Sequence, residues 1–139
     1  MNSKKIKVYL AAPIVNYYNS ELTLRVGKIL EKLDIEITSP WVLSGKDISI
    51  SSEDIFHRDI NAVKNSDILL AEVSHPSHGV GMELMQAYIM NKKIIMVAHI
   101  NSNISYLVKG IPNSILLEYE DYKDLEEKLK NLLIKEVKR

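Results

Sequence analysis

The 139-residue chain contains no cysteine. That removes disulfides, thiolate nucleophiles and thiolate metal sites together. Net charge is missing too: 18 basic and 18 acidic residues balance to a formal zero. No face is therefore set up for a polyanion, and a nucleic acid polymer is not an expected partner. No apolar run approaches the roughly 20 residues that span a bilayer. The basic start, Met1-Asn-Ser-Lys-Lys-Ile-Lys-Val-Tyr-Leu10, has a short apolar run broken by Pro13 and fits a first strand better than a signal peptide. A cytoplasmic protein with no membrane contact is expected. P-loop, dinucleotide fingerprint and serine elbow are all absent. The four histidines (His57, His75, His78, His99) have no zinc-ligand spacing. No metal and no organic cofactor is expected.

What is present is a chain 46% apolar, long enough for one domain with a real core and too short for two. Neither a repeat nor a linker interrupts it, so residues 1–139 read as a single domain. Compact β-rich runs at Ile6 to Ala12, Ile35 to Thr38, Asp67 to Val73, Lys93 to Ala98 and Ile115 to Glu118 read as five strands. The third does not alternate, as expected for a strand covered on both faces. Between them lie helical patterns. Asn19 or Ser20 caps one with Leu22, Val26, Ile29, Leu30 and Leu33 as its stripe. Ser51 or Ser52 caps the next, with Ile55, Phe56, Ile60 and Val63 buried. A third follows the loop Ser74 to Gly79 and ends near Asn91. The last starts at Asp121, with Leu125, Leu129, Leu132, Leu133 and Val137 on one face. Ser39 to Ile50, around Pro40, Trp41 and Gly45, reads as a loop, and Ile100 to Gly110 as irregular or a short helix. Strands alternating with helices imply an α/β fold: a doubly wound, five-stranded parallel sheet in the order 2-1-3-4-5, flavodoxin- or Rossmann-like, helices on both faces. Residues just after Ala12 and just after Val73 then share the crevice at the switch point. The basic tail (Lys135, Lys138, Arg139) reads as a helix end matched to its dipole.

The chemistry concentrates at Ser77-His78-Gly79-Val80-Gly81-Met82-Glu83. The pattern reads as a glycine-bearing turn leading into a helix whose first turn carries Glu83. The positive helix end would keep that carboxylate ionised, as a nucleophile or a ribose ligand. A first-turn glutamate is also ordinary helix chemistry. Gly79 and Gly81 would let a ligand approach the backbone. Asp59 interrupts an apolar stripe, four residues after Ile55 and four before Val63, and should point inward; it caps a loop or joins Glu83 at the crevice. Paired carboxyls, one ionised and one carrying a proton, cleave glycosidic bonds. Tyr9 near the end of strand one is packing, or holds Glu83 by its hydroxyl. Ser77 caps the turn or donates to an anion at the helix start. Trp41 covers the crevice and stacks on a planar base, or packs inside. His75 and His78 flank the site as loop residues or contacts to an anion.

Taken in order, Val8-Tyr9-Leu10-Ala11-Ala12-Pro13, Asp59-Ile-Asn-Ala-Val-Lys-Asn-Ser-Asp67, Gly79-Val-Gly-Met-Glu-Leu84 and Asn91-Lys-Lys-Ile-Ile95 resemble the nucleoside 2-deoxyribosyltransferase superfamily over most of the chain. The resemblance implies that Glu83 is the nucleophile of a deoxyribosyl-enzyme ester, that Asp59 handles the proton at the base and that Tyr9 orients Glu83. Two branches fit. One passes the sugar between bases of deoxynucleosides; the other, the 2'-deoxynucleoside 5'-phosphate N-hydrolases, passes it to water. Six residues before the nucleophile, the former carry an aspartate for the free 5'-hydroxyl, whereas this chain has Ser77, similar to the hydrolase pattern. A carboxylate would repel a phosphate and a hydroxyl can donate to it. Ser105 matches a serine that the hydrolases lend to a neighbouring subunit's phosphate, which implies a homodimer or a higher homo-oligomer. The hydrolases' Ser-Ile-Arg-Gly-Gly-like loop is replaced by Pro13-Ile14-Val15-Asn16-Tyr17. His78, Lys109 or backbone amides would then stand in at the phosphate. The expectation is hydrolysis of 2'-deoxynucleoside 5'-monophosphates to free base and deoxyribose 5-phosphate. Base exchange between deoxynucleosides, a ribonucleotide-specific glycosidase and a non-catalytic nucleotide-binding module are the alternatives.

Overall fold

The computed structural model describes residues 4–14, 21–44 and 50–138. Five parallel strands, β1 (Lys7–Ala11), β2 (Glu36–Ile37), β3 (Ile68–Glu72), β4 (Lys93–His99) and β5 (Ile115–Tyr119), form one sheet in the order β2-β1-β3-β4-β5. This is the doubly wound order expected from the sequence. Helices α1 (Glu21–Lys32) and α6 (Tyr122–Val137) cover one face, and α3 (Ser52–Lys64) and α4 (His78–Ile89) cover the other. Two short helices, α2 (Trp41–Ser44) and α5 (Tyr106–Lys109), sit in connections. Among the described residues no helix is long and apolar enough to cross a membrane.

Strand alternation divides the core into two layers. Val8, Leu10, Ile68 and Leu70 face α1 and α6, whereas Tyr9, Ala11, Leu69 and Ala71 face α3 and α4. All five residues of β3 are buried, which explains the missing alternation in its sequence. Tyr9 stands opposite Leu69 in the register of β1 and β3, beside the switch point. Ser51 caps α3 by accepting from the Asp54 amide at 3.1 Å, and Asp121 caps α6 by accepting from the Asp124 amide at 2.8 Å. Such caps satisfy amides that a helix start leaves without intrahelical partners.

Several expectations change. Phe56 is 48% exposed rather than buried, and the buried residues of α3 are Ala62 and Val63; only the C-terminal half of the helix lies against the sheet. In α6, Leu125, Leu129 and Leu133 are buried while Val137 is exposed. Trp41 is not in an irregular loop. The Val42 amide donates to the Ser39 carbonyl and the Leu43 amide to the Pro40 carbonyl, both at 3.1 Å, which winds one helical turn. Proline suits such a start because its missing N–H would have had no helical partner. The expected cap at Asn19 or Ser20, and Val15, Asn16, Tyr17, Gly45 and Arg139, lie outside the described residues.

The edge strand is short, and its brevity places Trp41. β2 pairs through only two residues, and beyond it the Ser39 side chain replaces the ladder. Its hydroxyl accepts from the Leu10 amide at 2.9 Å and donates to the Leu10 carbonyl at 2.8 Å. Thr38 donates to the Ala62 carbonyl at 3.1 Å, tying this segment to α3. The chain is thus turned across the end of β1, where Trp41 meets Tyr9.

Candidate active site

Tyr9 is fully buried in β1, and its hydroxyl donates to Glu83 Oε2 on α4. The rings of Tyr9 and Trp41 meet edge to face, with centroids 6.3 Å apart and an interplanar angle of 67°. Over the Trp41 ring lies the Arg58 guanidinium, its Cζ 4.0 Å from the centroid. Arg58 Nε in turn donates to Asp59 Oδ1 at 2.9 Å. A continuous chain of contacts therefore runs Glu83, Tyr9, Trp41, Arg58, Asp59, drawing on β1, α2, α3 and α4.

Glu83 does not occupy the first helical turn. Ser77 is the N-cap: its Oγ accepts from the Val80 amide at 3.3 Å, and α4 starts at His78. Gly79 and Gly81 thus lie inside the helix rather than in a turn, and Glu83 falls in its second turn, where the dipole has faded. The expected stabilisation of the anion is reversed. Burial pushes the Glu83 carboxyl up to about 8, against which the Tyr9 hydroxyl works by donating to the ionised form. Asp59 is half-buried, as its place on the apolar stripe requires. Burial raises its carboxyl above the ordinary value, and the hydrogen bond and charge of Arg58 oppose the rise.

Several other residues singled out from the sequence gather at the start of α4. Ser77, His78, Gly81 and Ser105, with Ile104 and Val108, line a cavity of about 230 Å³. Ser105 precedes α5, and its hydroxyl makes no capping hydrogen bond. A Cβ on Gly79 would meet only Ser77 Oγ, at 4.0 Å, and one on Gly81 nothing within 4 Å. The fold does not need these glycines for its own packing, and the space above the first turn of α4 is open. Among the described residues nothing accepts from the His78 and Gly79 amides, so the helix start presents free donors to an anion. His78 is exposed, and no group of three His, Asp or Glu suited to a metal occurs among the described residues.

Three residues that matter here carry little signal in the sequence. Arg58 does not stand out in the sequence, and only the fold lays it on Trp41. Ser39 gives no signal beyond a polar residue before proline. Glu72 closes a strand that reads as purely apolar; its Oε1 accepts from the Ser74 amide at 2.7 Å, and Ser74 Oγ accepts from the His99 amide at 3.0 Å. These bonds fix the exit of β3 toward Ser77.

Known proteins resemble the chain in both sequence and fold. The family model described as nucleoside 2-deoxyribosyltransferase matches residues 8–132. A Thermofilum pendens protein with the provisional name 2'-deoxynucleoside 5'-phosphate N-hydrolase 1 is 31% identical over 138 residues, covering 92% of this chain and 95% of its own. A 5-hydroxymethyl-dUMP N-hydrolase of Esox lucius is 34% identical over 112 residues, covering 73% and 76%. Among solved structures, a CMP N-glycosidase of Clostridium botulinum superposes with a TM-score of 0.72 at 24% identity, covering 90% of this chain and 98% of that one. A 2-deoxyribosyltransferase of Bacillus psychrosaccharolyticus superposes at 0.60 and 23% identity, covering 86% and 90%. At those identities the two structures carry the fold alone.

Proposed function

Because the chain belongs to the nucleoside 2-deoxyribosyltransferase family, we propose that it hydrolyses the N-glycosidic bond of 2'-deoxynucleoside 5'-monophosphates, releasing free base and deoxyribose 5-phosphate. The observation that carries this reading is the partly buried Glu83 carboxyl receiving the hydroxyl of Tyr9 at the switch point of the sheet. In the proposed reaction the proton that burial holds on Glu83 passes to Asp59 on substrate binding, and the ionised Glu83 oxygen then attacks the anomeric carbon as the bond to the base nitrogen breaks. The departing nitrogen keeps the bonding pair and takes a proton from Asp59. Water then attacks the anomeric carbon, gives a proton back to Asp59 and releases the Glu83 carboxylate. Two inversions leave net retention. The missing 2'-hydroxyl eases the oxocarbenium-like transition state, and no metal or organic cofactor enters either step.

The phosphorylated substrate is supported by Ser77 and the free amides at the start of α4, which suit a dianion better than an aspartate would. Gly79, Gly81 and His78 would border that phosphate, and Trp41 would close the base side. We further propose a homodimer. Met82, Met85 and Ile89 form an exposed apolar stripe on α4, and Tyr106 and Leu107 on neighbouring α5 are 88% and 86% exposed. A second copy on this face would bring Ser105 to its partner's phosphate. Such an enzyme would work in the cytoplasm on free nucleotides.

The test is incubation with each deoxynucleoside and its 5'-monophosphate, with and without a second free base. Base release from monophosphates, lost in Glu83→Ala, is expected. Base exchange on nucleosides would assign the chain to the transferase branch, and binding with no bond cleavage would remove the enzymatic reading.

A further inference from the structure

Arg58 and Trp41 make contacts that the reaction just described does not require. Both side chains of the Arg58–Asp59 pair are only 23% exposed, and the Nε to Oδ1 separation is 2.9 Å. Adjacent residues on a helix point in different directions, so this contact forms only because Arg58 folds back along its own helix. There the guanidinium lies over the Trp41 ring, 4.0 Å from its centroid. Trp41 is itself held by the Ser39 bridge to Leu10 and by the edge contact to Tyr9. An arginine flat on an aromatic face is the arrangement a lysine cannot reproduce.

Resting on the functional reading above, we propose that Arg58 is a positioning residue of this site: its guanidinium, pinned on Trp41, fixes the orientation and charge of the Asp59 carboxyl and joins it through Trp41 and Tyr9 to Glu83. Asp59 must be protonated when the base departs and ionised afterwards to take a proton from water. A fixed cation beside it favours the second state and keeps the carboxyl from drifting to the uncharged form that burial prefers. Other titratable and charged groups on elements around Asp59 are Glu53, Asp54, His57 and Lys64 on its own helix, Lys7 and Tyr9 on β1, and His78, Glu83 and Tyr88 on α4. His57 is exposed and turned to Glu53, 3.8 Å away. Tyr9 donates its hydroxyl to Glu83, whose carboxyl burial pushes up to about 8. Among the described residues, Arg58 supplies the hydrogen bond and the charge that act on the Asp59 carboxyl.

The decisive experiment is carboxyl 13C NMR titration of the whole protein, with the Asp59 resonance identified by its disappearance in Asp59→Asn. In Arg58→Gln the Asp59 titration is expected to move up by about one pH unit or more, and in Arg58→Lys by less. The acid limb of kcat/KM for base release, the limb that Asp59→Asn removes, should move the same way while KM changes little. An Asp59 titration unmoved in folded Arg58→Gln would overturn the proposal. If that variant does not fold, Trp41→Leu is read instead; it leaves the charge but removes the platform, and an unmoved titration there overturns it equally. The titration needs no turnover. Absence of base release from every substrate would thus defeat the functional reading while the NMR result still decides the role of Arg58.

Discussion

A carboxyl that holds its proton is an awkward nucleophile, and burial pushes Glu83 in that direction, up to about 8. Its proton affinity is raised because burial strips water from the anion, and the Tyr9 hydroxyl recovers part of the loss. This has a consequence for stability with a definite sign. The folded-state value, about 8, lies above the unfolded value near 4.5, so proton binding favours the folded protein. The contribution is fully present below about pH 4.5 and is lost as pH rises through about 8. Each unit corresponds to roughly 1.4 kcal/mol. Glu83→Gln is therefore expected to match the parent in denaturant midpoint near pH 5 and to exceed it near pH 9. Equal midpoints across that range would show that the carboxylate is not desolvated in solution. The sequence identifies Glu83 and Tyr9 as a pair through motif order. It misjudges the electrostatics, because helix position is readable locally and burial is set by residues far away in the chain.

At the scale of elements, the start of α4 decides what the site can hold. Its glycines look like a turn when read along the chain. The first helical turn tolerates them because its amides have no intrahelical partners, and Ser77 supplies the side-chain cap. Losing such a cap costs about 1 kcal/mol. Ser77→Ala should lower stability by that amount and raise KM for a 5'-monophosphate more than for the matching nucleoside, by about tenfold for a lost charge-assisted hydrogen bond. Equal effects on both substrates would confine Ser77 to its capping role. Caps at Ser51 and Asp121 were legible from sequence because a polar residue precedes an apolar stripe in each case. The helical turn at Trp41 was not. It depends on Ser39 bonding to Leu10, 29 residues earlier, a contact no local pattern records. The same holds for Arg58, whose meaning rests on a ring 17 positions away that only the folded connection delivers.

For the whole molecule, sheet order and layer assignment followed from alternating strands and helices, since right-handed crossovers leave few arrangements. Assembly did not follow, because an apolar helix face reads as core whether it packs inward or meets another subunit. Leu107 is 86% exposed. Leu107→Asp is expected to leave the fold intact, convert the proposed dimer to a monomer by light scattering, and weaken turnover of monophosphates together with assembly. Full activity in a proven monomer would remove Ser105 from any partner's site. The Trp41 contacts have a practical use at this scale, since each molecule holds a single tryptophan. That indole is covered by a cationic guanidinium on one face and abuts Tyr9, which bonds to Glu83. Its emission intensity and wavelength are therefore expected to respond to changes at Arg58 and Tyr9. The protein thus carries its own optical probe, and a change in its emission on mixing with a deoxynucleoside monophosphate in stopped flow is the expected label-free sign of substrate entry.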